Sequence, residues 1–575
     1  WIIVKELVHI ALDGVKITTP DVDAERAVVA IATTVQNESI NTQTVSVATE
    51  IRHANGGSVA SDTAPVTLLP GESAVVRQRL YVDAPELWSV DRPYLYRAET
   101  VVRTQTAVLD QEQTRFGIRT LRLDPRHGLR INGETVKLRG ACVHHDNGIL
   151  GAAAIARAEE RRVQRLKQAG FNAIRSSHNP ISRAMLDACD EVGMLVMDET
   201  FDMWTEAKTN YDYSLSFPEW WERDVEAMVH KDFNHPSVVL YCIGNEIFET
   251  GRPVGSTWGR KLAEKIRSID DTRYVTNAIN NVLAVLPDVT KQRGKDAPPL
   301  NLNEMMGAGG LNDKMVVSDL VTEKTAESYG VLDIAGMNYS EARYAMDRDA
   351  FPNRIIVGTE TFPTRIDSNW KLVKENGHVL GDFTWTGWEY LGEAGIGRVD
   401  YPDENYKPTG PVGPYPWLVG GCGDIDLTGH RRPASYYREI VFGLRHEPYI
   451  AVRRPEYFGR DTVASHWAWT DSVSSWSWGV PEGSPVKVEV YSDADEVELL
   501  VNGRSLGRKA TGEANRFRAE FDTVYEPGEL VAIGYSGGRE QGRMQLRSAV
   551  GPVRLDVCAD RTSIRADDSD LAFVD

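Results

Sequence analysis

The sequence predicts a multidomain chain: a (β/α)8 TIM barrel flanked by immunoglobulin-like β-sandwich domains. Residues 118–445 alternate short apolar runs with helical segments, and eight such runs can be counted. Parallel strands buried on both faces read as continuous apolar stretches, and eight of them over about 250 residues or more fit a barrel. Residues 1–117 and 446–547 instead alternate β-branched and polar residues in short runs. Turn clusters such as Asn55-Gly56-Gly57, Pro70-Gly71 and Asn502-Gly503 separate them, as in antiparallel sandwiches.

In the first region the strand candidates are Ala27–Thr34, Gln43–Glu50, Ser73–Tyr81 and Tyr94–Arg103. The barrel strands read as Ala141–His145, Ala173–Ser177, Leu195–Asp198, Val238–Ile243, Tyr274–Ala278, Ile334–Met337, Ile355–Gly358 and Val379–Trp385. Helices fit Ala156–Ala169, Ser182–Val192, Trp220–Phe233, Trp258–Ile269 and Ala434–Leu444. Residues 281–331, with Gly307-Ala308-Gly309-Gly310, read as an elaborated loop. The later sandwich takes Lys487–Tyr491, Glu496–Val501, Arg516–Phe521 and Gly528–Tyr535. Residues 548–575 read as the start of a further, truncated β-domain, too short to bury a core alone.

Composition excludes some partners. The 575 residues carry a formal net charge of -19, which disfavours nucleic acid and anionic membranes, both of which need a basic surface. No run of about 20 apolar residues predicts a transmembrane helix. Cys142, Cys189, Cys242, Cys422 and Cys558 lie far apart, with no zinc-ligand spacing, and read as buried small side chains in a reducing compartment. That favours a cytoplasmic location, with no signal peptide in view. The opening Trp1-Ile2-Ile3-Val4 and the strand-like Leu571–Val574 suggest ends cut from something longer. Neither metal nor organic cofactor is expected.

In a barrel the site lies at the C-terminal strand ends. The strand Val238–Ile243 runs into Gly244-Asn245-Glu246, and the strand Ile355–Val357 into Gly358-Thr359-Glu360-Thr361. These are the fourth and seventh strands, and each sets a carboxylate at the rim. A single Glu there is more often a salt-bridge partner or helix cap. Two facing carboxylates can cleave a glycosidic bond: one protonates the leaving oxygen, and the other attacks the anomeric carbon, with net retention. The acid needs a raised pKa, which burial and a negative neighbour supply.

At these residues the chain resembles glycoside hydrolase family 2, which includes β-galactosidases, β-glucuronidases and β-mannosidases. The resemblance extends through Phe116-Gly117-Ile118-Arg119, Leu138–His145, Ile174–Pro180, Asp198–Asp202 and Phe383–Trp388. It covers nearly all of 1–445, and 448–547 resembles a β-domain found after the barrel in some members. The resemblance implies that Glu246 is the acid/base and Glu360 the nucleophile. It implies that Asn245 bonds the sugar 2-hydroxyl and Tyr339 donates to the nucleophile. By the same resemblance His144 and His178 contact sugar hydroxyls, Arg175 sits beneath the nucleophile, and Trp385 forms a platform against the ring. His145, adjacent to His144, reads as structural.

Departures narrow the activity. Where β-glucuronidases carry an Asn-x-Lys motif for the substrate carboxylate, this chain has Cys422-Gly423-Asp424, and an Asp there should repel a uronate. Met203 and Thr205 stand where some β-galactosidases have magnesium ligands. The sugar-binding sandwich that normally begins the family has no counterpart. The segment Trp388–Gly397 resembles the β-galactosidase subset, so a terminal β-D-galactoside is the expected substrate, with β-glucuronidase or β-mannosidase as alternatives. A non-catalytic carbohydrate-binding protein should have lost one glutamate, and both are present. Acidic multidomain members of the family often associate, so a homo-oligomer is compatible with the resemblance.

Overall fold

The computed structural model describes residues 3–293, 310–403, 412–552, 554–567 and 569–574. Eight parallel strands close a barrel in chain order: Leu138–Val143, Ala173–Ser176, Leu195–Glu199, Val238–Asn245, Tyr274–Asn280, Ala335–Asn338, Ile356–Thr361 and Val379–Thr384. The fourth strand is buried at every position, which is why it reads as an uninterrupted apolar run. The eighth strand pairs back onto the first, Gly381 opposite Leu138. Gly381 has φ +159°, and a Cβ there would lie 2.1 Å from the Leu138 carbonyl oxygen, so the closing seam requires glycine.

Helices separate most of the strands. In Arg183–Val192 the Ser182 hydroxyl accepts from the Met185 N–H at 3.1 Å, and Gly193 ends the helix in the left-handed region. Residues 281–331 are not simply a loop. Among the described residues they carry helices Leu286–Arg293, Leu311–Val316 and Asp319–Gly330, while Gly307, Ala308 and Gly309 lie outside the described residues. Val321, Thr325 and Tyr329 form the buried stripe of Asp319–Gly330. Its polar Ser and Thr content hides that periodicity in the sequence.

A three-stranded antiparallel ribbon spans Leu121–Asp124, Gly128–Ile131 and Glu134–Thr135. Its Leu129 and Ile131 join the cluster of Leu138, Leu195 and Leu380, which lie within the first two residues of their strands. This plugs the N-terminal end of the barrel and leaves the opposite mouth for a site.

Before the barrel, sheets of three and four antiparallel strands share one core that includes Ile10, Val29, Val47 and Val102. Trp88 is fully buried and donates from Nε1 to the Asp190 carbonyl at 2.9 Å, which ties this sandwich to the barrel. After the barrel, two more sheets enclose Ile450, Val488, Leu499 and Phe521. Residues 554–567 and 569–574 lie beside the helix Ala156–Gln168, with Ala559 bridged antiparallel to Val574; there Arg157 pairs with Asp560 at 2.6 Å and its backbone N–H donates to the Ser569 carbonyl at 3.1 Å. Cys558 lies in this segment and is exposed, against the expectation that all five cysteines are buried; the other four are. A segment that lies on the surface offers no core to enter.

Candidate active site

The barrel mouth holds a cavity of about 620 Å³ whose lining includes Glu246, Glu360, Asn245, Tyr339, His144, His178 and Trp385. Seven of the eight residues singled out in the sequence therefore meet in one cavity. The eighth, Arg175, is fully buried beneath it.

The two carboxylates have different company. Arg175 Nη1 donates to Glu360 Oε1 at 2.8 Å and to the Thr359 carbonyl at 3.1 Å. Glu246 meets neutral donors: Asn280 Nδ2 at 2.8 Å and Asn338 Nδ2 at 3.1 Å, both to Oε1. Burial raises the Glu360 pKa above the usual carboxylate range and the Glu246 charge adds to this, against the opposing pull of Arg175. Glu246 and Tyr339 both have positive φ, 44° and 50°, a strained backbone that aims side chains at strand ends. The strain is held by the barrel: the Glu246 N–H donates to the Ala278 carbonyl at 2.8 Å and the Tyr339 N–H to the Glu360 carbonyl at 2.9 Å.

Arg175 organises the floor. Its Nε donates to Glu199 Oε2 at 2.8 Å and its Nη2 to Asn245 Oδ1 at 2.9 Å. Burial alone would raise the Glu199 pKa, but Arg175 and His178 outweigh it and the carboxyl sits below its ordinary range. Arginine only donates, so the Asn245 amide is oriented: Oδ1 faces Arg175, and Nδ2 donates to Asp202 Oδ1 at 3.0 Å. One Asn245 N–H is left for a ligand.

The aromatic wall is built by contact between rings. The Trp385 ring lies parallel to His178 at 5.3 Å between centroids and edge-on to His144 at 5.2 Å, and His144 stacks on Tyr390 at 4.3 Å. The Ser177–His178 and Trp385–Thr386 peptides are cis. His178 Nδ1 lies 2.7 Å from Glu199 Oε1, and since a carboxylate oxygen accepts, that nitrogen is the donor there. Burial holds His144 well below the usual histidine pKa, as do the nearby positive charges. Its buried Nε2 has no hydrogen-bond partner among the described residues. His145 points elsewhere, its Nε2 donating to the Pro180 carbonyl at 3.1 Å.

One expectation fails. Asp424 does not face the cavity: it is fully buried and accepts from Arg438 Nε at 2.6 Å, while its N–H donates to the Thr386 carbonyl at 3.0 Å. A neutralised, enclosed carboxylate cannot repel a substrate, so the argument against a uronate loses that support. The sign of a side chain is legible in a sequence, but its direction is not.

The structure also brings in residues the sequence reading did not assign. Lys208 Nζ bonds Asp202 Oδ1 at 2.7 Å and the Asn245 carbonyl at 2.9 Å. Asn338 ends the sixth strand next to Tyr339, and Asn280 ends the fifth strand without any motif. The Tyr390 hydroxyl donates to Glu393 and accepts from Trp385 Nε1 at 3.1 Å. Trp467 reaches the cavity from beyond the barrel and donates from Nε1 to the Tyr339 hydroxyl at 2.9 Å.

A barrel whose mouth gathers two strand-end carboxylates, hydroxyl-binding amides and imidazoles, and an aromatic wall belongs among the O-glycosyl hydrolases. Residues 125–296 match the glycosyl hydrolases family 2 TIM barrel domain, residues 8–119 match glycosyl hydrolases family 2, and residues 483–542 match a domain of unknown function. Beta-galactosidase BoGH2A of Bacteroides ovatus is 30% identical over 100% of this chain and 67% of its own length. A putative beta-glucuronidase of Formosa agariphila is 28% identical over 99% of this chain, which spans 51% of that relative. The solved structure of a glycosyl hydrolase family 2 member from Bacteroides cellulosilyticus superposes with a TM-score of 0.86 at 35% identity, over 99% of this chain and 68% of that one. The chain belongs to glycoside hydrolase family 2.

Proposed function

We propose that this chain is the catalytic part of a retaining exo-β-glycosidase that removes terminal β-D-galactosides. Glu246 is the acid/base and Glu360 the nucleophile. The observation that carries this is the unequal company of the two carboxylates in one cavity. Glu360 is anchored by a guanidinium, which favours its ionised form for attack on C1. Glu246 receives only amide N–H groups on Oε1, which leaves Oε2 to hold the proton for the leaving oxygen. Attack by Glu360 forms a glycosyl-enzyme as that proton departs. Glu246 then takes a proton from water, and the configuration at C1 is retained.

Asn245 keeps one N–H for the 2-hydroxyl, and His144 Nε2 is a buried site awaiting a hydroxyl partner. Trp385 offers its ring to the sugar face. The galactoside is supported by likeness to BoGH2A and by the cavity's charge. Lys208 is the one Lys or Arg among the described lining residues, and Asp202 already pairs with it, whereas Glu246, Glu360 and Glu393 line the same space. A uronate would meet excess negative charge there. The second reading, a β-glucuronidase, rests on the naming of the Formosa agariphila relative. Hydrolysis of a panel of nitrophenyl β-glycosides by the full chain should favour the galactoside in kcat/KM, and equal or better turnover of the glucuronide removes that choice of sugar.

Glu246→Ala tests the acid. Turnover of substrates with poor leaving groups should drop by roughly 10²- to 10⁴-fold, while activated aryl glycosides suffer less at the first step. Azide should rescue release of the glycosyl-enzyme and give the β-glycosyl azide. Equal losses across leaving groups with no rescue exclude Glu246 as the proton donor.

A further inference from the structure

We propose that Trp467, supplied by the chain after the barrel, is a positioning residue that fixes the Tyr339 hydroxyl as a hydrogen-bond donor to Glu360. An indole N–H can only donate. Since Trp467 Nε1 lies 2.9 Å from the Tyr339 oxygen, that oxygen accepts there, and its single proton is left for another partner. The Tyr339 side chain faces the Glu360 and Glu246 carboxylates, and burial, then those two charges, hold the phenol well above its ordinary pKa, so it stays protonated. A phenol beside a carboxylate, with its other side taken by a donor, has one use for its proton.

The arrangement is built rather than incidental. The Trp467 ring packs edge-on against Tyr339 at 5.8 Å and against Phe362 at 5.1 Å, while Tyr339 and Phe362 stack at 4.3 Å. The strand Val463–Ala464 pairs with Val399–Asp400 of the loop after the last barrel strand. The Ser465 hydroxyl donates to the Ile396 carbonyl, and the Thr364 hydroxyl donates to the His466 carbonyl at 3.3 Å. These bonds clamp the segment over the mouth beside the seventh strand's loop. Trp467 itself is 8% exposed. A residue outside the barrel thus acts on the nucleophile through a barrel tyrosine.

The inference rests on Glu360 as the nucleophile. Glu360 faces Arg175, Cys142, His178, Glu246 and Tyr339, so removing the Trp467 N–H changes one of several influences and should displace, not abolish, its titration. With the full chain, Trp467→Phe should lower kcat about ten- to a hundredfold, the range for a hydrogen bond to a charged group, with KM changed little. The acid limb of the kcat/KM profile should move to higher pH, because a carboxylate that loses a donor binds its proton more tightly. Trp467→3-benzothienylalanine keeps the bicyclic ring without the N–H and should do the same at an unchanged melting temperature. In a Tyr339→Phe background neither change should move the limb further. An unmoved acid limb in the benzothienylalanine variant overturns the inference. If Glu360→Ala is inactive while that limb stays put, only the positioning role falls; if Glu360→Ala retains full turnover, the nucleophile assignment falls first.

Discussion

Replacing Glu360 by alanine should lower turnover of the full chain by roughly 10⁴-fold or more, as for other residues that form the covalent intermediate. The stereochemistry of rescue is more telling than the loss. Glu360→Ala opens space on the face of the sugar opposite the leaving group, so azide entering there displaces the aglycone once and gives the α-glycosyl azide. In Glu246→Ala the azide enters after the glycosyl-enzyme has formed and gives the β product. Two opposite configurations from two variants would assign the two roles without any structure of a complex. In the unsubstituted chain, kcat/KM should fall as pH drops through the Glu360 pKa. Burial and the Glu246 charge raise that pKa, so the loss should begin above the pH of an ordinary carboxylate. A rate that survives Glu360→Ala, or an acid limb at ordinary carboxylate pH, contradicts the assignment.

The fold was legible because parallel barrel strands are buried on both faces and read as contiguous apolar runs. Val238–Ile243 is the plainest case: every residue is buried, and the polar pair Asn245 and Glu246 follows at the rim. The candidate site was legible where chemistry sits at a strand end, as at Glu360 and Tyr339. It was not legible where a partner is set by long-range packing. Trp467 is 128 residues from Tyr339, and nothing local marks it. Asn280 ends a strand as many asparagines do, and only the pairing of the fourth and fifth strands brings it to Glu246. Asp424 shows the converse: the position was found, but its burial against Arg438 depends on the helix Pro433–Val441 packing behind it.

Arg175→Met should be the most damaging change to stability in the barrel floor. The guanidinium serves Glu199, Glu360, Asn245 and the Thr359 carbonyl from one fully buried position. Methionine fills much of the same volume, so the cost is electrostatic: two buried carboxylates lose their shared cation. Removing one partner of such a pair typically costs about 3–5 kcal/mol, because the remaining charge stays desolvated. Both carboxylates should then take up protons at higher pH. Ionising Glu199 and Glu360 in that floor is what destabilises the variant, so it should recover melting temperature as pH falls and they become neutral. Protonating Glu360 removes the nucleophile, so the same fall in pH should not recover activity. Arg175→Lys would keep a charge but cannot serve the four acceptors with its compact ammonium, so it should restore stability in part and catalysis poorly. Melting curves and kcat/KM measured across pH on both variants separate these effects. A methionine variant as stable as the parent at neutral pH would mean that Glu199 and Glu360 do not depend on this arginine for their charge.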